Sequence, residues 1–165
     1  MRRSWQRSSP APSGRVGTTE GDTDLAGENP TIGLDINPFV NASERLREGY
    51  ERHRREPADE QLRDGLIQRF EFTYELAHKM LRRYLRMVSP TPDLFDQMPF
   101  QDLIRSGNEF GLLLGDWPKW RHYRDLRART SHTYAAKVAI EVVEGIPAFL
   151  AEAEYLRDTL VRRLG

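Results

Sequence analysis

The sequence predicts an all-α protein, an antiparallel up-and-down bundle of four or five helices that follows a disordered N-terminal extension. Apolar residues recur at steps of three and four over long stretches, which is the period of an amphipathic helix. Prolines and glycines separate these stretches. No segment of strand length alternates cleanly between apolar and polar residues. The short connectors place successive helices antiparallel.

Residues 1–32 are predicted to be disordered, and residues 33–165 to form the helical domain. The first segment is rich in Pro, Gly, Ser, Thr and Asp, so it has too little apolar surface to form a core. It contains no apolar region of the kind found in secretory signals. No run in the chain is apolar over the length needed to cross a bilayer. We therefore expect a cytoplasmic protein without a membrane partner.

The first two helices differ in how strongly the sequence predicts them. The first has sparse apolar positions and is expected to begin near Asn41 or Ser43, because both residue types cap helix N-termini. Pro57 ends it by removing a backbone donor. In the second, the stripe from Leu62 to Met87 is accompanied by a parallel apolar stripe. So broad an apolar side predicts a central position in the bundle.

Three further helices complete the prediction. A short one is expected over about Phe100–Ser106, and another over about Lys119–Arg127, where Pro118 suits the first helical position. The last helix is expected to begin near Thr133, with Tyr134 in its first turn. A glycine and a proline inside it, at 145 and 147, are expected to kink it.

Composition excludes several classes of site. The net charge is zero, so only a local patch could attract nucleic acid. The chain has no cysteine, which rules out disulfides and thiolate chemistry. The four histidines are scattered without metal-ligand spacing, and there is no glycine-rich phosphate loop. We therefore predict neither a metal nor a cofactor.

One basic segment, "KWRHYRDLRAR" followed by "TSHTY", is the candidate site. A run of charge at a helix C-terminus is commonly a solvated end that complements the helix dipole. The alternative is a phosphate site, because Arg127 presents a permanent charge and a planar fork, and His132 can carry a proton near neutral pH. On one continuous helix these two residues would point about 140° apart. The hydroxyl residues between them favour a turn, which would let them converge.

Such a pair could cleave RNA without a metal. The histidine would take the proton of the ribose 2′-hydroxyl, and the arginine would stabilise the charge that develops on the phosphate. Arg124 and Arg129 are candidate contacts to further phosphates.

Two longer motifs add a resemblance. The segments "RDGLIQRFEFTYELAHKMLRRYL" (63–85) and "RARTSHTY" (127–134) resemble the two characteristic motifs of the nucleotidyltransferase substrate-binding protein family, within the HEPN superfamily. The second motif of that family reads Arg-x4-His-x-Tyr. The segments "LDINPF" and "IPAFL" are also similar to it. The resemblance covers about residues 34–160.

The resemblance implies a homodimeric bundle whose partner is a minimal nucleotidyltransferase encoded nearby. In HepT-type relatives the same motif forms a ribonuclease toxin, and the partner silences it by adenylylating the motif tyrosine. By position, Arg127 and His132 would be the catalytic pair and Tyr134 the modified residue. Ala128 stands where HEPN ribonucleases usually have Asn or Asp, and His78 where tryptophan is common.

Two functions follow from the sequence, with a bundle whose motif has decayed as a third option. The first is a binding subunit that docks a nucleotidyltransferase as a dimer. The second is a metal-independent endoribonuclease toxin that uses Arg127 and His132 on single-stranded RNA, and Ala128 favours the first. Arg69 and Glu75 are candidates for the partner or dimer surface, although solvation, and for Glu75 a surface pair with Lys79, is the simpler expectation.

Overall fold

The computed structural model describes residues 33–165, and they form an all-α bundle, as the sequence predicted. Its five helices are α1 (Asn37–Arg55), α2 (Glu60–Val88), α3 (Phe100–Glu109), α4 (Trp117–Arg129) and α5 (Ala136–Leu164). Two 3₁₀ turns, Pro92–Phe95 and Thr130–His132, lie in the connectors, and this part of the chain has no strand. The predicted disordered extension, residues 1–32, lies outside the described residues.

Two helix starts differ from the prediction, for local reasons. Helix α1 begins at Asn37, not near Asn41 or Ser43, because a proline fits its first turn. The hydroxyl of Ser43 donates to the carbonyl of Phe39 at 2.8 Å, so it bonds inside the helix instead of capping it. Helix α5 begins at Ala136, three residues later than expected. Helix α2 has a regular cap, since the carboxylate of Asp59 accepts the Leu62 N–H at 3.0 Å.

An aromatic cluster at the centre of the bundle joins α2, α4 and α5. Phe149 lies edge-on to Phe70, with ring centroids 5.1 Å apart and planes at 82°. Trp120 is fully buried against the same ring, and Trp117 packs at the margin of the core. Edge-to-face pairs of this kind add to the burial of large apolar surface. Both tryptophans therefore pack the bundle.

Helix α4 is fixed from both ends by α5. At its C-terminal end, Leu126 packs directly on Gly145 of α5, where a side chain would leave no room. At its N-terminal end, the buried carboxylate of Glu152 accepts the backbone N–H groups of Leu114 and Gly115 at 2.9 and 2.8 Å. Helix α5 runs through Gly145 and Pro147 without interruption. The end of α4, and so the segment after it, is therefore held against α5.

Two side chains differ in burial from what their residue types suggest. Only 9% of His53 is exposed, because it lies on the inner side of the last turn of α1. Met87 was expected on the apolar face of α2, but it is 42% exposed, since the buried stripe ends near Leu85. No helix between residues 33 and 165 is both long enough and apolar enough to cross a membrane.

Candidate functional site

The candidate site lies on a turn that interrupts the chain between α4 and α5. The hydroxyl of Thr130 donates to the carbonyl of Arg127 at 2.7 Å, and that of Thr133 donates to the carbonyl of Thr130 at 3.1 Å. These short-range bonds compete with continuation of the helix. Helix α4 consequently ends at Arg129, between Arg127 and His132. The chain therefore leaves the α-helix between these two residues and continues as the 3₁₀ turn Thr130–His132.

Two carboxylates of α2 hold the guanidinium of Arg127. Its Nε donates to Glu75 at 3.0 Å, and its Nη1 lies 3.3 Å from a carboxylate oxygen of Glu71. Nη1 also donates to the hydroxyl of Thr130 at 3.0 Å. The side chain is 28% exposed, so one part of the fork still faces solvent. Glu75 therefore pairs with Arg127, not with Lys79 as the sequence suggested.

His132 and Tyr134 are both exposed on the turn. Their ring centroids lie 6.2 Å apart, with planes at 75°. Tyr134 is 88% exposed, and its hydroxyl has no hydrogen-bond partner among residues 33–165. It precedes the first residue of α5 by two positions, so it sits on the turn and not in the helix. The phenol is open to a partner molecule.

The other arginines predicted at the site do not share the contacts of Arg127. Arg124 extends over the ring of Phe100, with its guanidinium carbon 5.9 Å from the ring centroid. Arg129 pairs with Glu141 of α5, while Arg127 pairs with α2, so the two arginines are engaged on different helices. Arg69 donates to the carbonyl of Arg45 on α1 at 2.5 Å and lies outside this cluster.

His78 stands at the position where tryptophan is common in the family, and its side chain also makes an aromatic contact. The ring of His78 lies 4.7 Å from that of Phe100. Burial, together with the positive charge of Arg82, lowers the pKa of His78 below its ordinary value. On the same helix, burial raises the pKa of Tyr74 to about 12. Both side chains are therefore neutral at physiological pH and serve the core next to the site.

The two carboxylates could not be identified as partners of Arg127 from the sequence. Glu75 and Arg127 are 52 positions apart, and nothing local joins them. One signal was present, because Glu71 and Glu75 are four apart on one helix face. Like charges at this spacing destabilise a helix unless a cation lies between them. No cluster of three potential metal ligands occurs in the described part of the chain.

An all-α bundle with an Arg-x4-His-x-Tyr segment on the turn before its last helix defines a class of small helical proteins. Residues 34–162 match the family described as "Nucleotidyltransferase substrate binding protein like", and the chain belongs to that family. This confirms the resemblance seen in the two motifs.

Two relatives are similar to much of the chain. A Haemophilus influenzae protein named "Probable ribonuclease HepT" is 42% identical over 99 residues, which cover 60% of this chain and 67% of that protein. A solved structure from the same organism, described as the fold of a substrate binding domain of a nucleotidyltransferase, is 34% identical with a TM-score of 0.72. It covers 76% of this chain and 98% of its own.

Proposed function

We propose that this chain is the helical partner subunit of a two-component nucleotidyltransferase system, and that it presents Tyr134 for adenylylation. The exposure of Tyr134 carries the proposal, because 88% of an aromatic side chain faces solvent on a turn fixed by hydrogen bonds at Thr130 and Thr133. The membership of the family and the solved relative support the choice of partner.

The transfer is a substitution at phosphorus. The phenol oxygen of Tyr134 attacks the α-phosphorus of a nucleoside triphosphate held by the partner, an O–P bond forms, and pyrophosphate leaves. The phenol proton passes to a base, and His132 is the nearest candidate on this chain, with its ring centroid 6.2 Å away. The product carries a phosphodiester anion on the turn that follows the end of α4, where Arg127 lies.

Intact mass spectrometry with peptide mapping tests the proposal. The chain is incubated with the nucleotidyltransferase encoded nearby and ATP, and we expect one adenylyl group on the peptide that contains Tyr134. Tyr134→Phe should abolish labelling. Tyr155→Phe is the matched control, because the hydroxyl of Tyr155 reaches only the Gly111 carbonyl, at 3.5 Å. Labelling that persists in Tyr134→Phe would contradict the assignment.

The expected oligomer is a homodimer in which the two turns face each other. Light scattering on the purified chain should give twice the 19.2 kDa mass of one chain. A mass equal to one chain at micromolar concentration would contradict this part of the proposal.

A second function, metal-independent cleavage of single-stranded RNA, is favoured by the position of Arg127. Its guanidinium is held in place next to the histidine turn and retains an open edge that can bind a phosphate. His132 would take the 2′-hydroxyl proton, the 2′ oxygen would form a bond to phosphorus, and the P–O5′ bond would break to leave a 2′,3′-cyclic phosphate. The departing 5′ oxygen would take up a proton from water. The relative named as a probable ribonuclease supports this second function.

Cleavage of RNA in EDTA separates the two functions. We expect wild type to cut, and Arg127→Ala and His132→Ala to lose activity by at least about a hundredfold, the usual range for a general base or charge-stabilising group. Arg105→Ala removes the same charge from an exposed side chain on α3, where it pairs with Asp102 at 3.4 Å, and should keep most activity. Equal activity in His132→Ala and wild type would exclude this histidine as the proton carrier.

A further inference from the structure

A basic groove follows the exposed side of α2 next to the candidate site. It has a volume of about 640 Å³ and is open to solvent along its length. Its ionisable lining consists of four arginines or lysines, two acids and a histidine. At one end stands Phe72, which is 60% exposed. In a chain whose net charge is zero, this is a local excess of positive charge beside an exposed aromatic ring.

The acids of the groove are already neutralised. Glu75 pairs with Arg127, and Asp96 pairs with Arg86 at 2.5 Å. Lys79 and Arg83 are exposed, and neither forms an ion pair with any acid in residues 33–165. Their charges are therefore available to an anionic ligand.

The spacing of these groups connects the groove to the site. Glu75, Lys79 and Arg83 are four residues apart in turn, so they lie in one line along α2, about one helical turn, or ~6 Å, between neighbours. Glu75 is the residue that contacts Arg127. Lys79 and Arg83 therefore continue the line that begins where Arg127 contacts Glu75, and this order of positive charges suits the successive phosphates of a single strand. Phe72 lies one turn before Leu76 on the same side and can stack a base.

We propose that this groove binds single-stranded RNA that extends from the Arg127–His132 site, with Lys79 and Arg83 on successive phosphates and Phe72 against a base. The inference rests on the ribonuclease function proposed above, and it names the residues that would hold the substrate. Charge complementarity favours a polyanion, because Phe72 and Leu76 alone offer little apolar surface to a protein partner.

Fluorescence anisotropy with labelled single-stranded RNA of roughly 12 nucleotides tests the groove. The measurements are made in EDTA and in a His132→Ala background, so that the RNA stays intact. Lys79→Ala with Arg83→Ala should weaken binding and lower the slope of log Kd against log salt by about 1.4, which corresponds to two lost phosphate contacts. Arg52→Ala with Arg55→Ala is the matched control, since both residues are exposed on α1 and form no ion pair within the described residues. That control should keep the affinity and the slope.

The aromatic end of the groove has its own test. Phe72→Ala should raise Kd about tenfold or more at constant salt, because base stacking is lost. Its salt slope should stay that of the parent protein, because no charge is removed.

Three results would overturn the proposal. The first is an equal Kd and salt slope in the Lys79 and Arg83 double variant and in its α1 control. The second is conversion of a dimer to a monomer by Phe72→Ala with no change in RNA affinity, which would assign this face to a second copy of the chain. The third is loss of Tyr134 labelling in the double variant with RNA affinity unchanged, which would assign the groove to the nucleotidyltransferase. RNA that binds through the groove but is not cut by wild type would instead support the groove and reject the ribonuclease function.

Discussion

Replacement of Gly145 by alanine should destabilise the protein, although alanine is the better helix former. A Cβ at position 145 would lie 2.2 Å from Cδ1 of Leu126 and 3.1 Å from its Cδ2. Carbon atoms in contact prefer about 3.5–4.0 Å. Leu126 is only 3% exposed, so its side chain cannot turn out into solvent. Either the Leu126 side chain must repack within the core, or helix α4 must move away from α5.

The magnitude follows from two opposed contributions. Overpacking a core costs about 1–3 kcal/mol. Exchange of glycine for alanine inside a helix contributes about 1 kcal/mol in the other direction. We therefore expect Gly145→Ala to lose up to about 2 kcal/mol of the free energy of unfolding. Gly65→Ala is the matched control on α2, because its Cβ would meet nothing within 4 Å. That variant should gain about 0.5–1 kcal/mol.

Urea unfolding at one fixed protein concentration measures both variants, and the fixed concentration removes any effect of dimer dissociation. A double variant with Leu126→Ala makes the test specific. Leu126→Ala alone leaves a cavity and should cost about 2–5 kcal/mol. With alanine also at 145, part of that cavity is filled, so the combined loss should be smaller than the sum of the two. Stabilisation of Gly145→Ala equal to that of Gly65→Ala would refute the close contact between α4 and α5.

Three other outcomes are expected. The pKa of His78 is lowered in the fold, so the stability that its neutral ring provides is present above its ordinary pKa of 6.5 and is lost as the pH falls through the lower folded value. His78→Phe should therefore make the free energy of unfolding less sensitive to pH between about 7 and 5 than in wild type. An unchanged pH dependence would contradict this. Glu152→Ala removes the acceptor of two buried N–H groups and should lower the free energy of unfolding by about 1–3 kcal/mol for each. Hydrogen exchange should become faster at Leu114 and Gly115. Unchanged protection at these two residues would argue against the hydrogen bonds to Glu152. Glu75→Gln removes a negative charge that competes with RNA for Arg127, so RNA should bind more tightly. The cleavage rate should fall, because the guanidinium is positioned less firmly. Tighter binding together with faster cleavage would contradict a positioning role for Glu75.

The sequence predicted the helices that have a long apolar period, and it was less accurate where short-range bonds decide the boundary. The buried stripe of α2 runs from Leu66 to Leu85, over about 5.5 turns, so the helix and its central position could be read from the period alone. The start of α5 could not, because Thr133 has a residue type that caps helices but uses its hydroxyl on the carbonyl of Thr130. The same residue type serves both purposes, and tertiary packing selects between them.

The candidate site was predicted in part. The turn followed from the local pattern, since hydroxyl residues between Arg127 and His132 favour a break. Tyr134 was expected in the first turn of the last helix, but it lies on the turn before α5. The surroundings of Arg127 depend on how α4 lies against α2, and that alignment is set by packed residues such as Leu126 on Gly145. The spacing of residues within one segment contains no information about that alignment. The groove on α2 was not predicted, because Lys79 and Arg83, four positions apart, look like part of an ordinary solvated helix face.

The contacts of Arg127 change the meaning of Ala128. In the sequence, the alanine removes a polar neighbour that would orient the arginine. In the structure, Glu71, Glu75 and Thr130 orient the guanidinium from another helix and from the turn, so the loss of a local polar group does not leave it free. The same carboxylates oppose an incoming phosphate, because they carry the charge that the phosphate would bring. An anion attached to Tyr134 on this turn would have no entropy of association to overcome, whereas a free RNA phosphate would. If Tyr134 is adenylylated as proposed, its phosphodiester would compete with RNA for Arg127 within one molecule, and this competition would explain how the modification silences cleavage.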